Sequence, residues 1–235
     1  APPPTWLSRT DTIMLTTWIP SEKYVGILSV PRDLWVNIPG YGENRINTAH
    51  FFCEGEQPGS GPGCAMQAIQ ANFNVPFRYY VRVRFEAFKD VVNALDGVDI
   101  TLTEPMAGYA PGSYHLTGNK ALAFVRARYD SDDFNRMAHG QFMLKAATKT
   151  MLKPKNWLKL PAVIVAVISN VDTDVPLWLW PRFTFTLLRL GPDNLDNRVI
   201  NADLVTPFTT NQGASVLLPN WELINPVVLE IFYGR

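Results

Sequence analysis

The stretch Phe77–Leu102, FRYYVRVRFEAFKDVVNALDGVDITL, decides the fold class. Tyr79, Val81, Val83 and Phe85 alternate with Arg78, Tyr80, Arg82 and Arg84, the period-2 pattern of a half-exposed strand with its arginines outward. Phe85, Phe88, Val92 and Leu95 then recur at helical spacing, and Asp96-Gly97 turns the chain into the strand-like Val98–Leu102. A strand, a helix and a second strand in immediate succession imply helices laid on a sheet.

The same interleaving continues on both sides. Upstream, Ile13–Ile19 and Val25–Val30 are apolar, β-branched runs separated by the turn-prone Pro20–Lys23, the pattern of a β-hairpin. Downstream, Thr117 precedes a helical pattern through Lys120, Ala121, Leu122 and Phe124 that carries Arg126 and Arg128 at its C-terminal end. Further helices are predicted over Asp133–Lys153, Pro161–Val171 and Pro181–Leu190, and strands over Arg198–Ala202 and Ser215–Leu218. Trp221–Phe232 reads as a closing helix interrupted near Pro226. No repeat and no linker divides the chain, so the expectation is one α/β domain over residues 1–235, with helices flanking a single mixed β-sheet.

Composition limits the function classes. Hydrophobic residues make up 47% and charged residues 18% of the 235 positions, which suits a globular core and excludes disorder. The 21 basic and 21 acidic residues cancel, which argues against a broad nucleic-acid surface and makes any anion site local. The longest apolar stretch, around Leu160–Ile168, falls far short of the ~20 residues that cross a bilayer. The chain opens at Ala1 with three prolines and no initiator methionine, which suggests that an upstream segment, with room for a membrane anchor, has been removed. Cys53 and Cys64 bracket the Gly/Pro-rich loop Glu54–Gly63; a disulfide there fits an oxidising compartment, and two unrelated thiols are the alternative.

Three segments concentrate charge where chemistry could occur. Arg9-Thr-Asp11-Thr precedes the first strand and pairs a permanent cation with a hard-metal ligand. Val30-Pro-Arg32-Asp33 delivers two charged side chains at the end of the second strand. Arg126-Ala-Arg128 is followed by Asp130, Asp132, Asp133 and Arg136. Successive helical side chains point about 100° apart, so Arg126 and Arg128 converge only if the helix stops between them. Taken singly, each segment is equally readable as a solvated turn or surface ion pair. Together they supply many guanidinium groups and little else, which suits phosphoryl chemistry.

Other chemistries find no support. His50, His115 and His139 lie in unrelated motifs, with no H-E-x-x-H spacing and no nucleophile elbow. Neither a Walker A nor a dinucleotide glycine motif is present, and two cysteines without a second Cys/His pair do not make a zinc site.

The segments, in their order, resemble the LytR-CpsA-Psr family of cell-wall glycopolymer transferases. The matching text is Arg9-Thr-Asp-Thr, Leu28-Ser-Val-Pro-Arg-Asp33, Arg45-Ile-Asn-Thr-Ala-His50, Asp96-Gly-Val-Asp99, His115-Leu-Thr-Gly118, Ala121-Leu-Ala-Phe-Val-Arg-Ala-Arg128 and Asp133-Phe-Asn-Arg136. The resemblance is strongest from Leu7 to Lys145. It implies a domain at the extracytoplasmic face of the cell membrane, tethered by an N-terminal anchor absent here. Its partners would be a polyprenyl (pyro)phosphate-linked glycan and peptidoglycan or a related acceptor, with no nucleic acid. The implied activity is a metal-dependent phosphotransfer of the glycopolymer. A polyprenyl pyrophosphate hydrolase and a non-catalytic lipid-phosphate-binding module share the same binding residues and remain alternatives.

Carried over motif by motif, the resemblance makes Asp11 a ligand of Mg2+ or Mn2+. It makes Arg32, Asp33, Arg126 and Arg128 the catalytic set, and it adds Arg9, Arg136 and Gln141 to the head-group pocket. An apolar tunnel between sheet and helices would be lined by Val81, Val83, Phe88, Val92, Leu95, Phe124, Phe142 and Leu144. Two departures stand out: this chain begins after the point where the family carries a further metal-binding aspartate, and His139 stands near Gln141 where the family often has an arginine.

Overall fold

A computed structural model describes residues 9–127, 133–191 and 194–234. In chain order, β1 (Ile13–Ile19) leads through a 3-10 turn to β2 (Tyr24–Val30), β3 (Trp35–Ile38) and β4 (Gly42–Arg45). Then come α1 (Thr48–Glu56), α2 (Gly61–Phe73), β5 (Val81–Val83), α3 (Phe85–Ala94), β6 (Val98–Leu102) and β7 (Gly112–Leu116). The long run of helix follows as α4 (Gly118–Arg126), α5 (Asp133–Leu152), a 3-10 turn (Pro154–Lys159) and α6 (Leu160–Asn170). The chain closes with β8 (Val171–Thr173), α7 (Leu179–Leu190), β9 (Asp196–Val199), β10 (Val205–Thr209), β11 (Ser215–Pro219) and α8 (Trp221–Phe232).

The α/β class is as expected, but the described strands are distributed over a three-stranded sheet, β1-β2-β9, and four two-stranded pairs, where the sequence suggested one mixed sheet. The pairs β3/β4 and β6/β7 satisfy their backbone groups locally as antiparallel ladders between close neighbours in the chain. Packing divides the chain into two compact units: residues 1–17, 25–80 and 196–235 form one, and residues 18–24 and 81–195 form the other.

In the first unit β2 is buried along its whole length, which its run YVGILSV permits, and it pairs in parallel with β9. The Glu54–Gly63 stretch is mostly helical and not a loop: α1 reaches Glu56 and α2 begins at Gly61. Pro62 suits the first turn of a helix, where no N–H is needed. Buried Glu54 accepts the Gly61 N–H at 2.9 Å, satisfying one of the orphan donors of α2. The Cys53–Cys64 disulfide joins these two helices. Helix α8 runs through Pro226 without interruption, because Ile224, Val228 and Ile231 hold its other face in the core.

In the second unit, α3, α4, α5 and the β6/β7 hairpin enclose a core around Phe124, with Val92, Val98, Ile100, Leu116 and Met143 buried beside it. The predicted Asp96-Gly97 turn forms, both residues adopting positive φ. The Phe77–Phe85 strand shrinks to β5, and its faces are reversed relative to expectation. Val81 and Val83 are 62% and 49% exposed, whereas Arg82 turns inward to meet Asp172 at 2.6 Å. The partner strand β8 sets this register, placing Asp172 opposite Arg82; the ion pair outweighs the alternation rule.

Candidate functional site

The site in the first unit grows from the end of β2. Past Val30, the backbone of Arg32, Asp33 and Leu34 is pinned by three donors from other segments. Asn47 N–H donates to the Arg32 carbonyl at 3.2 Å, Leu217 N–H to that of Asp33 at 3.0 Å, and Ile46 N–H to that of Leu34 at 2.8 Å. Leu34, wholly buried, anchors the turn from below. A backbone so tied presents its side chains with little freedom, as a preorganised charge site requires.

On that support the charges form a chain. Arg32 Nη1 donates to Asp11 Oδ1 at 2.9 Å, and its Nε donates to Asp33 Oδ2 at 3.3 Å. The other oxygen of Asp33, Oδ1, lies 3.4 Å from Arg45 Nε, and Arg45 Nη2 donates to the Ser215 carbonyl at 2.7 Å. Arg9 sets its guanidinium over the Phe51 ring, 5.8 Å from the centroid. The structure thus brings Asp11 together with Arg32 and Asp33, which belong to a separate motif in the sequence, and adds Arg45. Arg45 lay unassigned in Arg45-Ile-Asn-Thr-Ala-His50; the signal for it is the end of β4, which the β3/β4 ladder sets opposite Trp35.

For a divalent ion, Asp11 offers a half-exposed carboxylate beside a cation, and no cluster of three acidic, histidine or cysteine side chains occurs among the described residues. Mg2+ and Mn2+ are commonly held by one or two carboxylates together with substrate phosphate oxygens. Asp11 supplies one such carboxylate, so the donor chemistry fits that mode.

In the second unit, α4 ends at Arg126, and Ala127 leaves helical geometry at φ −58°, ψ 136°. The condition for Arg126 and the residues after it to part from helical spacing is therefore met; Arg128 lies outside the described residues. Arg126 stacks over Phe85 with its guanidinium 4.7 Å from the ring centroid. Arg136 and Gln141 lie on α5, both partly buried. His139 does not stand in for the family's arginine at a surface: it is buried, its ring 5.5 Å from that of Phe124.

The eight apolar candidates separate into two groups. Val92 and Phe124 belong to the closed core of this unit, Phe88 and Phe142 pack against it, and Leu95 is buried. Val81, Val83 and Leu144 are instead exposed. In this unit the His115 ring and Lys153, at 2.8 and 2.9 Å, pull the Asp99 carboxyl down to about 2.

Residues 3–219 match the LytR_cpsA_psr family. The chain belongs to this family. Among characterised members, it is 30% identical over 174 residues to polyisoprenyl-teichoic acid–peptidoglycan teichoic acid transferase TagU of Bacillus cereus, covering 71% of this chain and 55% of that protein. It is 29% identical over 177 residues to the regulatory protein MsrR of Staphylococcus aureus, covering 72% of this chain and 52% of the other. The chain thus spans about half the length of these LytR_cpsA_psr relatives. Crystal structures share its fold. B. subtilis TagV superposes with a TM-score of 0.77 at 22% identity, over 96% of this chain and 90% of that one. TagT bound to LIIa-WTA superposes with a TM-score of 0.76 at 22% identity, over 97% and 86%.

Proposed function

We propose that the chain is a phosphotransferase that moves a glycopolymer from a polyprenyl pyrophosphate carrier onto peptidoglycan or a related envelope acceptor, at the extracytoplasmic face of the membrane. The observation that carries this reading is the Asp11–Arg32–Asp33–Arg45 charge chain on a pinned backbone, in a family member whose relative TagU is named for such a transfer. An acceptor hydroxyl attacks the glycan-proximal phosphorus; a new P–O bond forms, the bond to the bridging oxygen breaks, and polyprenyl phosphate departs with that oxygen. The hydroxyl proton passes to solvent.

Arg32 acts on the pyrophosphate oxygens, where a planar guanidinium matches their geometry and opposes the charge that builds up on the leaving phosphate. Asp33 already carries a guanidinium on each carboxylate oxygen, so it serves as a positioning residue that aims Arg32. Asp11 is assigned the divalent ion, which when bound supplies positive charge to the pyrophosphate. By resemblance, Arg126, Arg128, Arg136 and Gln141 are carried over as head-group residues, and Val81, Val83, Phe88, Val92, Leu95, Phe124, Phe142 and Leu144 as candidates for the prenyl chain.

The test is turnover: protein, Mg2+ or Mn2+, a lipid-linked oligosaccharide and an acceptor glycan are combined and the products separated. Joined glycan that disappears with Arg32→Ala supports the transfer. Released sugar phosphate without joined product would make the chain a pyrophosphate hydrolase, and tight lipid binding without conversion would make it a binding module.

A further inference from the structure

The β3/β4 ladder has one buried and one open face, and the side chains sort between them by alternation. Val36 and Ile38 of β3 are buried, whereas Trp35 and Asn37, which alternate with them, lie on the other side. The register sets Arg45 opposite Trp35 and Glu43 opposite Asn37, so these four side chains share the outer face. Asn37 and Glu43 are exposed, and Trp35 is partly so. The face is held in place. The Trp35 indole N–H donates to Glu43 Oε2 at 3.4 Å, diagonally across the ladder, and the Asn72 side chain of α2 donates to the Asn37 carbonyl at 2.8 Å.

This face is continuous with the charge chain. Arg45 and Arg32 lie on the two oxygens of one carboxylate, that of Asp33, and Trp35 stands beside Arg45. A molecule held by its phosphate at Arg32 therefore has the Trp35 face within reach of whatever that phosphate carries. A flat aromatic surface next to a carboxylate, a carboxamide and a cation matches a pyranose ring. The C–H side of such a ring is apolar and packs on an indole, while the hydroxyls around its rim need an acceptor, as Glu43 provides, and a group that both donates and accepts, as Asn37 does. A purely apolar occupant fits less well, because it would strip water from Glu43 and Asn37 without replacing the lost hydrogen bonds.

We propose that the outer face of β3/β4 is a carbohydrate subsite for the donor, with Trp35 under the sugar ring nearest the pyrophosphate and Glu43 and Asn37 bonded to its hydroxyls. The assignment rests on the transfer proposed above and deepens it: guanidinium groups read the phosphate end of the donor, and Trp35 reads the glycan. The donor is the occupant because the face runs on from Arg32 through Asp33 and Arg45 without a break. The indole, already fixed by Glu43, offers its surface with little ordering left to do on binding.

The test compares the Kd of the purified chain, with Mg2+, for farnesyl diphosphate and for its glucose and N-acetylglucosamine conjugates. Expected is that at least one conjugate binds about tenfold more tightly than farnesyl diphosphate itself. Trp35→Ala should abolish that difference and Trp35→Phe keep part of it, while Glu43→Ala and Asn37→Ala each reduce it about threefold, all with the Kd of farnesyl diphosphate unchanged. Arg32→Ala should weaken every probe by the same factor, and Phe208→Ala, which removes an exposed ring of β10, should alter none. Because Asn37 and Glu43 are exposed, their variants should keep the parent's thermal midpoint and decide the matter if Trp35→Ala unfolds. Equal binding of all three probes, or a difference that survives in the Asn37 and Glu43 variants and in Trp35→Phe, would overturn the subsite alone. Failure of the parent to bind farnesyl diphosphate would overturn the transfer reading and the subsite with it. If a chitin tetrasaccharide binds and is lost with Trp35→Ala while the conjugates keep their advantage, the face belongs to the acceptor and the donor assignment is wrong.

Discussion

Arg32 Nη1 meets Asp11 Oδ1 at 2.9 Å across 21 positions of sequence, joining the chain just before β1 to the chain just after β2. The two side chains come together because the strands they flank are hydrogen-bonded neighbours. Arg32→Ala should lower turnover of a lipid-linked substrate about 10²–10³-fold. The thermal midpoint should move little, since exposed ion pairs contribute about 1 kcal/mol or less. A variant that loses folding and activity in parallel would show the guanidinium to be structural.

Arg45 lies one step behind Arg32, touching Asp33 and the Ser215 carbonyl. Arg45→Met should remove one guanidinium from Asp33 and reduce kcat about tenfold with a small change in KM, as a positioning defect does. Arg45→Lys should recover part of the loss. A rise in KM at constant kcat would place Arg45 against the substrate instead.

The Cys53–Cys64 bridge closes a loop of 11 residues between α1 and α2. Restricting the unfolded chain to that extent stabilises by about 3 kcal/mol in the loop-entropy treatment. Chemical denaturation of Cys53→Ser/Cys64→Ser should show a loss of that size, and the unmodified protein should show the same loss in reductant. Equal midpoints with and without reductant would mean that the bond carries no stability.

Asp99 has its carboxyl pulled from the usual range down to about 2 by the His115 ring and Lys153. Its folded pKa is below its unfolded one, so its contribution is complete above about pH 4 and disappears as the pH falls through about 2. The group is exposed, so the contribution should be under about 1 kcal/mol. Unfolding between pH 5 and pH 2 should show a shallower acid dependence for Asp99→Asn, and an unchanged slope would contradict the pairing.

Gly118 opens α4 against α3, where an added Cβ would lie 2.5 Å from the Lys89 carbonyl oxygen and 2.9 Å from Asn93 Oδ1. Neither is the end of a flexible chain that can swing away without cost, since Asn93 Oδ1 accepts the Gly118 N–H at 2.9 Å. Gly118→Ala should destabilise by about 1–3 kcal/mol despite its better helix propensity. Thermal unfolding decides it; a stabilised variant would show that α3 and α4 separate freely.

The long helices were legible because their periodicity is local. The predicted helix over Asp133–Lys153 forms as Asp133–Leu152, and that over Trp221–Phe232 matches to the residue. The Glu54–Gly63 stretch was not legible, because glycine and proline there mark the start of α2, and a glutamate from the preceding helix caps it. β5 shows the same limit in a strand. VRV alternates as a half-buried strand should, but only the position of Asp172, far along the chain, decides that the arginine faces in.

For the site, the sequence by itself determined which charges exist and which strand ends carry them: Asp11 before β1, Arg32 and Asp33 after β2, Arg126 where α4 stops. Side-chain chemistry and element boundaries follow from short-range preferences that a linear reading contains. Only the tertiary structure decided who meets whom. Arg45 joins the charge chain through the β3/β4 ladder, His139 withdraws into the core, and α6 keeps its apolar side in the open. Those outcomes depend on contacts between residues distant in sequence, where burial and pairing compete and no local pattern records the result.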